Sequence, residues 1–452
     1  MTRLPAACPA AALALAMVPA APVAAIELWR EGERYLETTG SVRELFTVTN
    51  GTDVADFAES IAVNGCITDP LDPINSDPGV FANCPAWDLV GEQDVWESLT
   101  RFRLQLDAGF GEGLTGHLVY DFEWRNGILD TLFSAPGAVE DTFLGLEDRV
   151  GEATDRHAQV HRVYRGWLRF ERGPLQLTVG RQRIPWGVGR LWNPIDRFNA
   201  IGPLAIEGDQ SLGIDAVDAR WSFSGFDSLQ LVYAPGTRSE DAKYAARYQA
   251  VIRDVDVGLV VGRFEEAFTT GFDLAGNVGD SAWRVEAVWT DSSRDVLEFG
   301  EGVSELDPFW QVVASVDHNF DVGNGIYVLV EHLWDQNALG LPESGRTAGL
   351  LPFFRAPGLP VSPDRFGGSR VVSLVSHQTG FMAGYDLTSA MRGQLLVIWD
   401  WRGDSAAIVP SVAFTGWNAV ELTVGAQLFA GGDRSQYGPQ EPLGYLLLEW
   451  FF

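Results

Sequence analysis

Gly444-Tyr-Leu-Leu-Leu-Glu-Trp-Phe-Phe452 is the stretch of sequence that decides the fold class. Side chains alternate between the two faces of an extended strand, so the face that carries Leu446 is apolar and ends on the ring of Phe452. Glu449 lies on the opposite face. The pattern predicts a strand with one face against an apolar phase, which is either the core of a soluble sheet or a lipid bilayer.

The amino-terminal segment predicts a secretory signal. Arg3 is the only charged residue before Glu27, and the sequence between them is rich in Ala and Leu. Val23-Ala24-Ala25 fits the small-residue rule for cleavage. Prolines leave an apolar core of about 10 residues, short of the roughly 20 that a membrane-spanning helix needs. We therefore expect residues 1–25 to be a signal peptide and residues 26–452 to form a single domain.

Composition excludes several classes of protein. No later segment approaches 18 consecutive apolar residues, which argues against helical membrane spans. The chain nevertheless has 16 Trp, 26 Phe and 10 Tyr residues with 49 Gly, a mixture typical of strands that face lipid on one side and water on the other. The net charge of −29 argues against nucleic acid as a partner, because phosphate binding needs a basic surface.

Two cysteines remain in the expected mature chain, Cys66 and Cys84, within an Asp- and Pro-rich connection at residues 50–94. In an exported protein they predict a disulfide within an outer loop. Two thiols without a histidine nearby do not favour a metal site.

Alternating segments recur from about residue 41 to the end of the chain. In residues 101–110, apolar even-numbered positions alternate with polar odd-numbered ones, and the turn Gly111-Glu-Gly113 leads into a second strand of the same kind. Short turns join strands in pairs, and longer connections rich in Pro, Gly and polar residues join the pairs. The longer connections fall near residues 50–94, 126–158, 183–212, 291–307, 337–369 and 430–443.

These features predict an all-β fold, a transmembrane antiparallel β-barrel with short periplasmic turns and long outer loops. We count about 18 strands, or 16 if the glycine-rich region 257–281 holds one hairpin fewer. The alternative is a soluble two-sheet or solenoid β protein. Charged residues on the inward face of so many strands favour the barrel, because its lumen supplies water.

Charged residues on the inward face are candidates for lining a pore. They are Arg101, Arg103, Asp107, Asp121, Glu123, Arg165, Arg169, Arg220, Arg247, Glu331, Glu421 and Glu449. Arginines dominate the first half of the chain and carboxylates the second, so a basic wall would face an acidic wall and set ion selectivity. The alternative is pairing along one strand, as between Arg103 and Asp107 or between Arg284 and Glu286. Both interpretations stay open.

Residues 180–199 form the densest segment of arginines, aromatic residues and prolines. Its candidate functional residues are Arg181, Arg183, Trp186, Arg190, Trp192, Asp196 and Arg197. Gly, Pro and the Asn-Pro pair make the segment irregular between two strands.

The Gly-Arg-Gln…Trp-Gly…Asn-Pro…Asp…Phe-Asn run in this segment resembles one found in bacterial porin-like outer-membrane proteins, including relatives of the alginate-export barrel. The terminal aromatic strand also resembles the closing strand that the barrel-assembly machinery reads. The resemblance implies that residues 183–212 form a constriction loop, which folds into or over the lumen and narrows it. An external loop packed on the rim is the alternative.

The sequence does not favour an enzyme. It contains no Gly-x-Ser-x-Gly motif, and His157 and His161 lack the Cys or carboxylate neighbours of a metal site. We expect no cofactor and no metal.

The expected function is a channel in the outer membrane of a Gram-negative bacterium, for passive or facilitated diffusion of small polar or charged solutes. Expected partners are the solute, outer-membrane lipid and the barrel-assembly machinery, with the protein a monomer or a homotrimer. Two alternatives are the export of an anionic polysaccharide and a non-conducting barrel that is a scaffold or sheath for a partner protein.

Overall fold

The structure is a computed structural model. It describes residues 25–52, 92–127, 149–153, 157–199, 202–208, 210, 213–236, 242–264, 267–291, 308–338, 373–432, 435–438, 440 and 442–452. The predicted signal peptide apart from Ala25, and the predicted disulfide between Cys66 and Cys84, lie outside these residues. Within the described residues, no helix is long and apolar enough to cross a membrane.

The described chain is built of antiparallel strands. They are β1 (Ile26–Glu31), β2 (Arg34–Thr52), β3 (Glu92–Gly111), β4 (Leu114–Gly127), β5 (Arg149–Ala153), β6 (His157–Arg172), β7 (Leu175–Gln182), β8 (Ile214–Ser222), β9 (Ser228–Ala234), β10 (Lys243–Ile252), β11 (Val255–Phe264), β12 (Ala267–Val278), β13 (Ser281–Asp291), β14 (Phe309–Phe320), β15 (Ile326–Asp335), β16 (His377–Thr388), β17 (Met391–Asp400), β18 (Ser405–Trp417), β19 (Val420–Ala430) and β20 (Leu443–Phe451).

All strands except β1 and β5 form one closed ring. Each pairs with the next along the chain, β4 pairs directly with β6, and β20 returns to β2 in a register that runs from Ser41–Phe451 to Thr49–Leu443. The ring therefore has 18 strands, which confirms the predicted all-β barrel and its larger strand count. β1 pairs with the first residues of β2, and β5 with the first residues of β6.

The outer face of the ring is apolar. Large hydrophobic side chains are exposed along it, among them Trp96, Phe102, Phe110, Trp124, Trp221, Phe268, Phe272, Trp310, Phe320, Phe381, Trp399 and Trp417. The opposite face carries buried charged side chains such as Arg101, Glu123 and Glu331. This apolar-out, polar-in alternation is the pattern of barrels that cross a membrane.

Short turns gather at one end of the ring. Arg253 and Asp254 join β10 to β11 with φ of 50° and 66°, the left-handed conformation that two-residue hairpins require. The glycine-rich region 257–281 that blurred the sequence pattern forms β11 and β12. Two brief connections at the other end, residues 265–266 and 401–404, were not among the predicted long loops.

The carboxy-terminal residue seals the ring through backbone hydrogen bonds. Gly40 N–H donates to the Phe452 carbonyl and Phe452 N–H donates to the Gly40 carbonyl, each at 2.9 Å. The Phe452 ring covers Gly40 and stacks on Phe102 with 5.8 Å between ring centroids. A side chain at position 40 would overlap that ring.

We expect Gly40→Val to lower the fraction of chain that folds into a closed barrel, because the new side chain displaces Phe452. The measurement is the share of protein that shows the heat-dependent shift in gel mobility of a folded barrel. Gly444→Ala is the matched control on the same seam, since the nearest atom to a new side chain there is 3.4 Å away. Equal folded fractions in the two variants would contradict this role for the terminal ring.

Candidate functional site in the lumen

Strand alternation places the predicted pore-lining residues on the face opposite the exposed apolar side chains. β3 and β4 carry Arg101, Arg103, Asp107, Asp121 and Glu123; β6, β8 and β10 carry Arg165, Arg169, Arg220 and Arg247; β15, β19 and β20 carry Glu331, Glu421 and Glu449. Most of the carboxylates bond nearby groups, so they do not present an unpaired acidic wall opposite the arginines.

The charges on β3 and β4 pair across neighbouring strands. Arg103 makes two bonds to Asp121, at 2.7 and 2.6 Å. Arg101 donates to Glu123 at 2.7 Å, and both Asp121 and Glu123 are fully buried. Two-point Arg–carboxylate bonds are strong and directional, so these groups are fixed in position.

Pairing along one strand, which was the alternative drawn from sequence, is wrong in its partners. Arg103 bonds Asp121 and not Asp107, whose carboxylate contacts His117 at 2.6 Å. Arg284 bonds Asp317 on β14 at 2.6 Å and not Glu286. Arg103 lies directly opposite Asp121, and Arg284 lies diagonal to Asp317, so a carboxylate on the neighbouring strand is within reach of each arginine. Pairing along one strand does occur on β4, where Arg125 bonds Glu123 at 2.7 Å.

The described residues of the 183–212 loop lie inside the ring, and two wall carboxylates bond the backbone of this loop. Glu331 on β15 accepts the backbone N–H groups of Arg190, Leu191 and Trp192, each at 2.8 Å. Glu286 on β13 accepts those of Val188, Gly189 and Ile195. Each carboxylate thus satisfies several donors that an irregular buried backbone would otherwise leave unpaired.

Two apolar clusters hold the same loop against the wall. In the first, Ile184, Trp186, Ile195 and Phe198 pack against inward side chains of β8 to β13, including Phe264. In the second, Leu191 and Trp192 pack against Val313, Leu329, Leu333, Leu396, Ile398, Ala407 and Tyr437. Burial of each large side chain contributes about 2–3 kcal/mol, so the loop has a hydrophobic core of its own within the lumen.

The end of the loop reaches the opposite side of the ring. Glu207 accepts bonds from Arg101 at 2.7 Å and from Arg43 at 3.0 Å. Gln210 accepts from Arg103 at 2.7 Å, and the Leu204 carbonyl accepts from Gln427 on β19 at 2.6 Å. In the ring of 18 strands, β13 lies about half a turn from β2 and β3, and β15 about a third of a turn, so the loop spans the lumen.

A cavity of about 400 Å³ lies beside the first part of this loop. Its lining holds four arginines, Arg165, Arg169, Arg183 and Arg220, and one carboxylate, Asp218; the other lining residues are His117, Trp167, Gln176, Gln182, Ile184, Pro185 and Gln230. The Arg169 guanidinium lies over the Trp167 ring at 4.5 Å, which keeps it extended into the cavity. The cavity therefore has an excess of positive charge.

The candidate loop residues have different environments. Trp186 and Trp192 are buried in the two clusters, and Arg197 is buried beside the Phe264 ring. Arg183 and Arg190 keep exposed side chains. Arg181 shares the strand face of Val179, away from the cavity, and bonds Asp215 at 3.0 Å and the Val163 carbonyl at 3.1 Å.

Two residues that the sequence does not single out contribute to the charged network of the lumen. Tyr164 lies at a bulge in β6, and its ring is sandwiched between Arg103 and Arg165 at 3.9 and 4.1 Å. Arg43 bonds both Glu449 and Glu207, which ties the closing seam to the 183–212 loop. The inward parity of Arg43 was readable from the alternation in β2. No pattern in the neighbouring sequence indicates the bulge at Tyr164 or the bonds that Glu207 makes.

Comparisons with known proteins identify the fold. No protein-family model and no curated protein matches the sequence. Among solved structures, the chain is similar to OccAB1 of Acinetobacter baumannii (TM-score 0.52, 7% identity, covering 92% of this chain and 96% of that one). It is equally similar to OccK9 (OpdG) of Pseudomonas aeruginosa (TM-score 0.52, 10% identity, covering 92% and 98%).

The fold is therefore that of bacterial outer-membrane porin-like barrels, as the resemblance in sequence implied. Identity this low establishes the fold alone. The closer resemblance to the alginate-export group stays a prediction.

We expect Glu331→Gln to loosen the 183–212 loop. An amide has one acceptor oxygen where the carboxylate has two, so a buried N–H loses its partner at a cost of about 1–3 kcal/mol. Hydrogen-exchange protection of the Arg190, Leu191 and Trp192 amides should fall by about 10-fold or more. Glu421→Gln, at an exposed inward carboxylate, is the control. Unchanged protection in Glu331→Gln would show that the carboxylate does not hold the loop.

The buried Asp196 carboxyl predicts a dependence of stability on pH. Burial raises its pKa to about 6, although it accepts N–H bonds from Phe198 and Asn199. The folded-state pKa lies above the ordinary value, so the protonated carboxyl is favoured in the folded protein. Its contribution to the free energy of unfolding is fully present below about pH 4 and is lost as pH rises through about 6. The contribution is on the order of 3 kcal/mol.

The Asp196→Asn variant should lack this component. The apparent Tm of the variant in detergent, relative to that of the parent protein, should therefore increase as pH rises from about 4 to about 7. A constant difference between the two proteins across that range would contradict the assignment.

Proposed function

We propose that the protein is an outer-membrane channel through which small polar or charged solutes diffuse, with anions favoured. The observation that carries the proposal is the arginine-lined cavity of about 400 Å³ beside a loop that spans the lumen. In this proposal the 183–212 loop sets the bore, and membrane lipid surrounds the apolar outer face. Insertion by the barrel-assembly machinery belongs to the same proposal.

The distribution of charge supports a preference for anions. Asp121 and Glu123 bond arginines of neighbouring strands, and Glu286 and Glu331 bond the backbone of the loop. These carboxylates are therefore already engaged. Four arginines and one carboxylate line the cavity, and low-dielectric walls strengthen the field of such a group. A small anion entering the cavity would exchange part of its hydration for guanidinium N–H groups.

The size of the cavity supports small solutes over a polymer. At roughly 30 Å³ per water, its volume holds about a dozen waters, the space of a small organic acid. Export of an anionic polysaccharide would require the 183–212 loop to move out of the lumen. This movement would break the contacts of two apolar clusters and the hydrogen bonds to two carboxylates. We therefore rank export below diffusion.

The second candidate is a non-conducting barrel that serves as a scaffold or sheath. The two apolar clusters inside the lumen favour it, because they fill cross-section that an open pore would leave to water. The long outer loops would then be docking surface. Transport measurements separate the two candidates directly.

Uptake into liposomes tests the proposed function. Purified protein reconstituted in vesicles should admit small carboxylates faster than neutral solutes of the same size, and those faster than amines. Empty vesicles and heat-unfolded protein are the controls. Vesicles that hold folded barrel and admit none of these solutes would overturn the channel and favour the scaffold.

Charge reversal in the cavity should change ion preference. We expect Arg169→Glu with Arg220→Glu to shift the zero-current potential in a salt gradient towards cation selectivity, and the shift should shrink as ionic strength rises. Arg172→Glu, at an exposed position beside a short turn, makes the same kind of change outside the cavity. An equal shift in both variants would mean that the cavity does not lie on the ion path.

A further inference from the structure

Two histidines from neighbouring strands meet on the outer face of the barrel. His332 lies on β15 and His377 begins β16, and His332 Nε2 is 3.2 Å from His377 Nδ1. The two residues are diagonal neighbours, because Trp334 lies opposite His377 and Thr379 lies opposite His332. His332 alternates with the buried inward side chains of β15, so the pair projects away from the lumen.

Tryptophan side chains place the pair at the outer interface of the membrane. Trp334 and Trp399 are exposed on the same face, and the exposed Trp401 follows the end of β17. These positions lie at the end of the ring opposite the short turns. Exposed aromatic rings at such a level form the girdle where the apolar band of a barrel ends. Ions from the outer medium can therefore reach the two histidines.

Thr379 fixes one of the two rings. The Trp401 indole Nε1 donates to Thr379 Oγ at 2.8 Å, and Thr379 Oγ is 2.8 Å from His332 Nδ1. A hydroxyl oxygen has two acceptor lone pairs, so it can accept the Nδ1–H of His332 in addition to the indole N–H. In that tautomer the Nε2 lone pair of His332 is directed at His377.

This is the arrangement that metal-binding histidines use. A histidine that binds a metal through one nitrogen almost always donates its other N–H to an oxygen or water, which fixes the tautomer and the ring orientation. Two nitrogens that bind one ion at about 2.0–2.1 Å, at an angle between 90° and tetrahedral, are about 2.9–3.4 Å apart. The 3.2 Å between His332 Nε2 and His377 Nδ1 lies in this range.

The two facing nitrogens require one cation between them. A proton on one nitrogen or a metal ion bound to both removes the repulsion between their lone pairs. The ring centroids are 5.5 Å apart, which suits a shared proton. A small rotation of the exposed His377 ring directs both lone pairs at one ion.

We propose that His332 and His377 form a binding site for one divalent transition-metal ion of the class of Cu²⁺, Ni²⁺ and Zn²⁺. His332 binds through Nε2 and His377 through Nδ1, both as neutral imidazole. Within the described residues, no group of three His, Cys, Asp or Glu side chains could hold a metal, so water fills the other positions around the ion. Imidazole favours these ions, whereas Mg²⁺ and Ca²⁺ favour oxygen ligands.

The ion would join the outer ends of β15 and β16. The connection of residues 336–376 begins after one of these strands and ends at the other. An ion that binds only the folded arrangement stabilises it by mass action. Both rings lie outside the lumen, so the proposal does not rest on transport.

The sequence alone pointed to a different pair of histidines. His157 and His161 share the outer face of β6, but four positions along one strand separate them by about 13 Å. They cannot bind one ion together. His332 and His377 are 45 positions apart in sequence, and only the strand register brings them into contact. The β6 pair is therefore a matched control.

Titration calorimetry of the untagged, folded protein in detergent with Cu²⁺ tests the site. We expect one tightly bound ion per chain. His332→Phe or His377→Phe should weaken binding by about 100-fold or more, because the second imidazole no longer adds to the first. His157→Phe with His161→Phe should leave the affinity unchanged. Absence of binding by the folded parent protein, or an equal loss in the control variant, overturns the proposal.

Two further measurements separate a built site from chance binding at a surface histidine. Thr379→Val keeps both imidazoles but removes the oxygen that orients His332, and it should weaken Cu²⁺ binding by about 10-fold or more. The electron paramagnetic resonance spectrum of bound Cu²⁺ should show two nitrogen ligands in the parent protein and one in His377→Phe. The heat-dependent shift in gel mobility checks that each variant is folded. An unchanged affinity in Thr379→Val, or the same spectrum from both proteins, overturns the proposal.

Discussion

The pairing of β2 with β20 is the constraint on which the rest of the structure depends. Backbone N–H and C=O groups have no water partner in hydrocarbon, so a sheet can cross a membrane only if its first and last strands meet. Here nine residue pairs from Ser41–Phe451 to Thr49–Leu443 close the ring. Arg43 then bonds Glu449 across the seam and Glu207 of the 183–212 loop, so closure and the contents of the lumen are linked.

The lumen uses its charges in two ways. Carboxylates of β13 and β15 accept backbone N–H groups, so they hold the 183–212 loop and are removed from any acidic wall. Arginines of β6 and β8 remain grouped around the cavity with one carboxylate among them. The lumen is therefore electrostatically asymmetric. The arginine-lined cavity is basic, whereas the carboxylates of β13 and β15 are bonded to the backbone of the loop.

Much of the fold could be predicted from sequence because alternation is a local signal. The inward parity of Arg101, Glu331 and Glu449 follows from period 2 within a single strand. The short turns around Gly111-Glu-Gly113 and Arg253 were equally local, since hairpins require residues that tolerate positive φ. The two brief connections at residues 265–266 and 401–404 have neither the length nor the proline of the predicted long loops.

The candidate site was harder to predict because its contacts are distant in sequence. The bonds from Leu191 to Glu331 and from Arg101 to Glu207 join residues 140 and 106 positions apart. Register between strands decides such partners, and one strand alone does not reveal it. Arg181 was assigned to the constriction from its place in a dense segment, but its strand parity and its bond to Asp215 remove it from the cavity.

The central claim is that the lumen conducts and that wall carboxylates hold the loop that sets its bore. Single-channel recording of the parent protein and of Glu286→Gln with Glu331→Gln, in the same planar bilayer, tests it most directly. The account predicts stable unitary steps for the parent and larger, noisier steps for the variant, because the loop is released from β13 and β15. Silent bilayers despite folded barrels, or identical steps from both proteins, would contradict it.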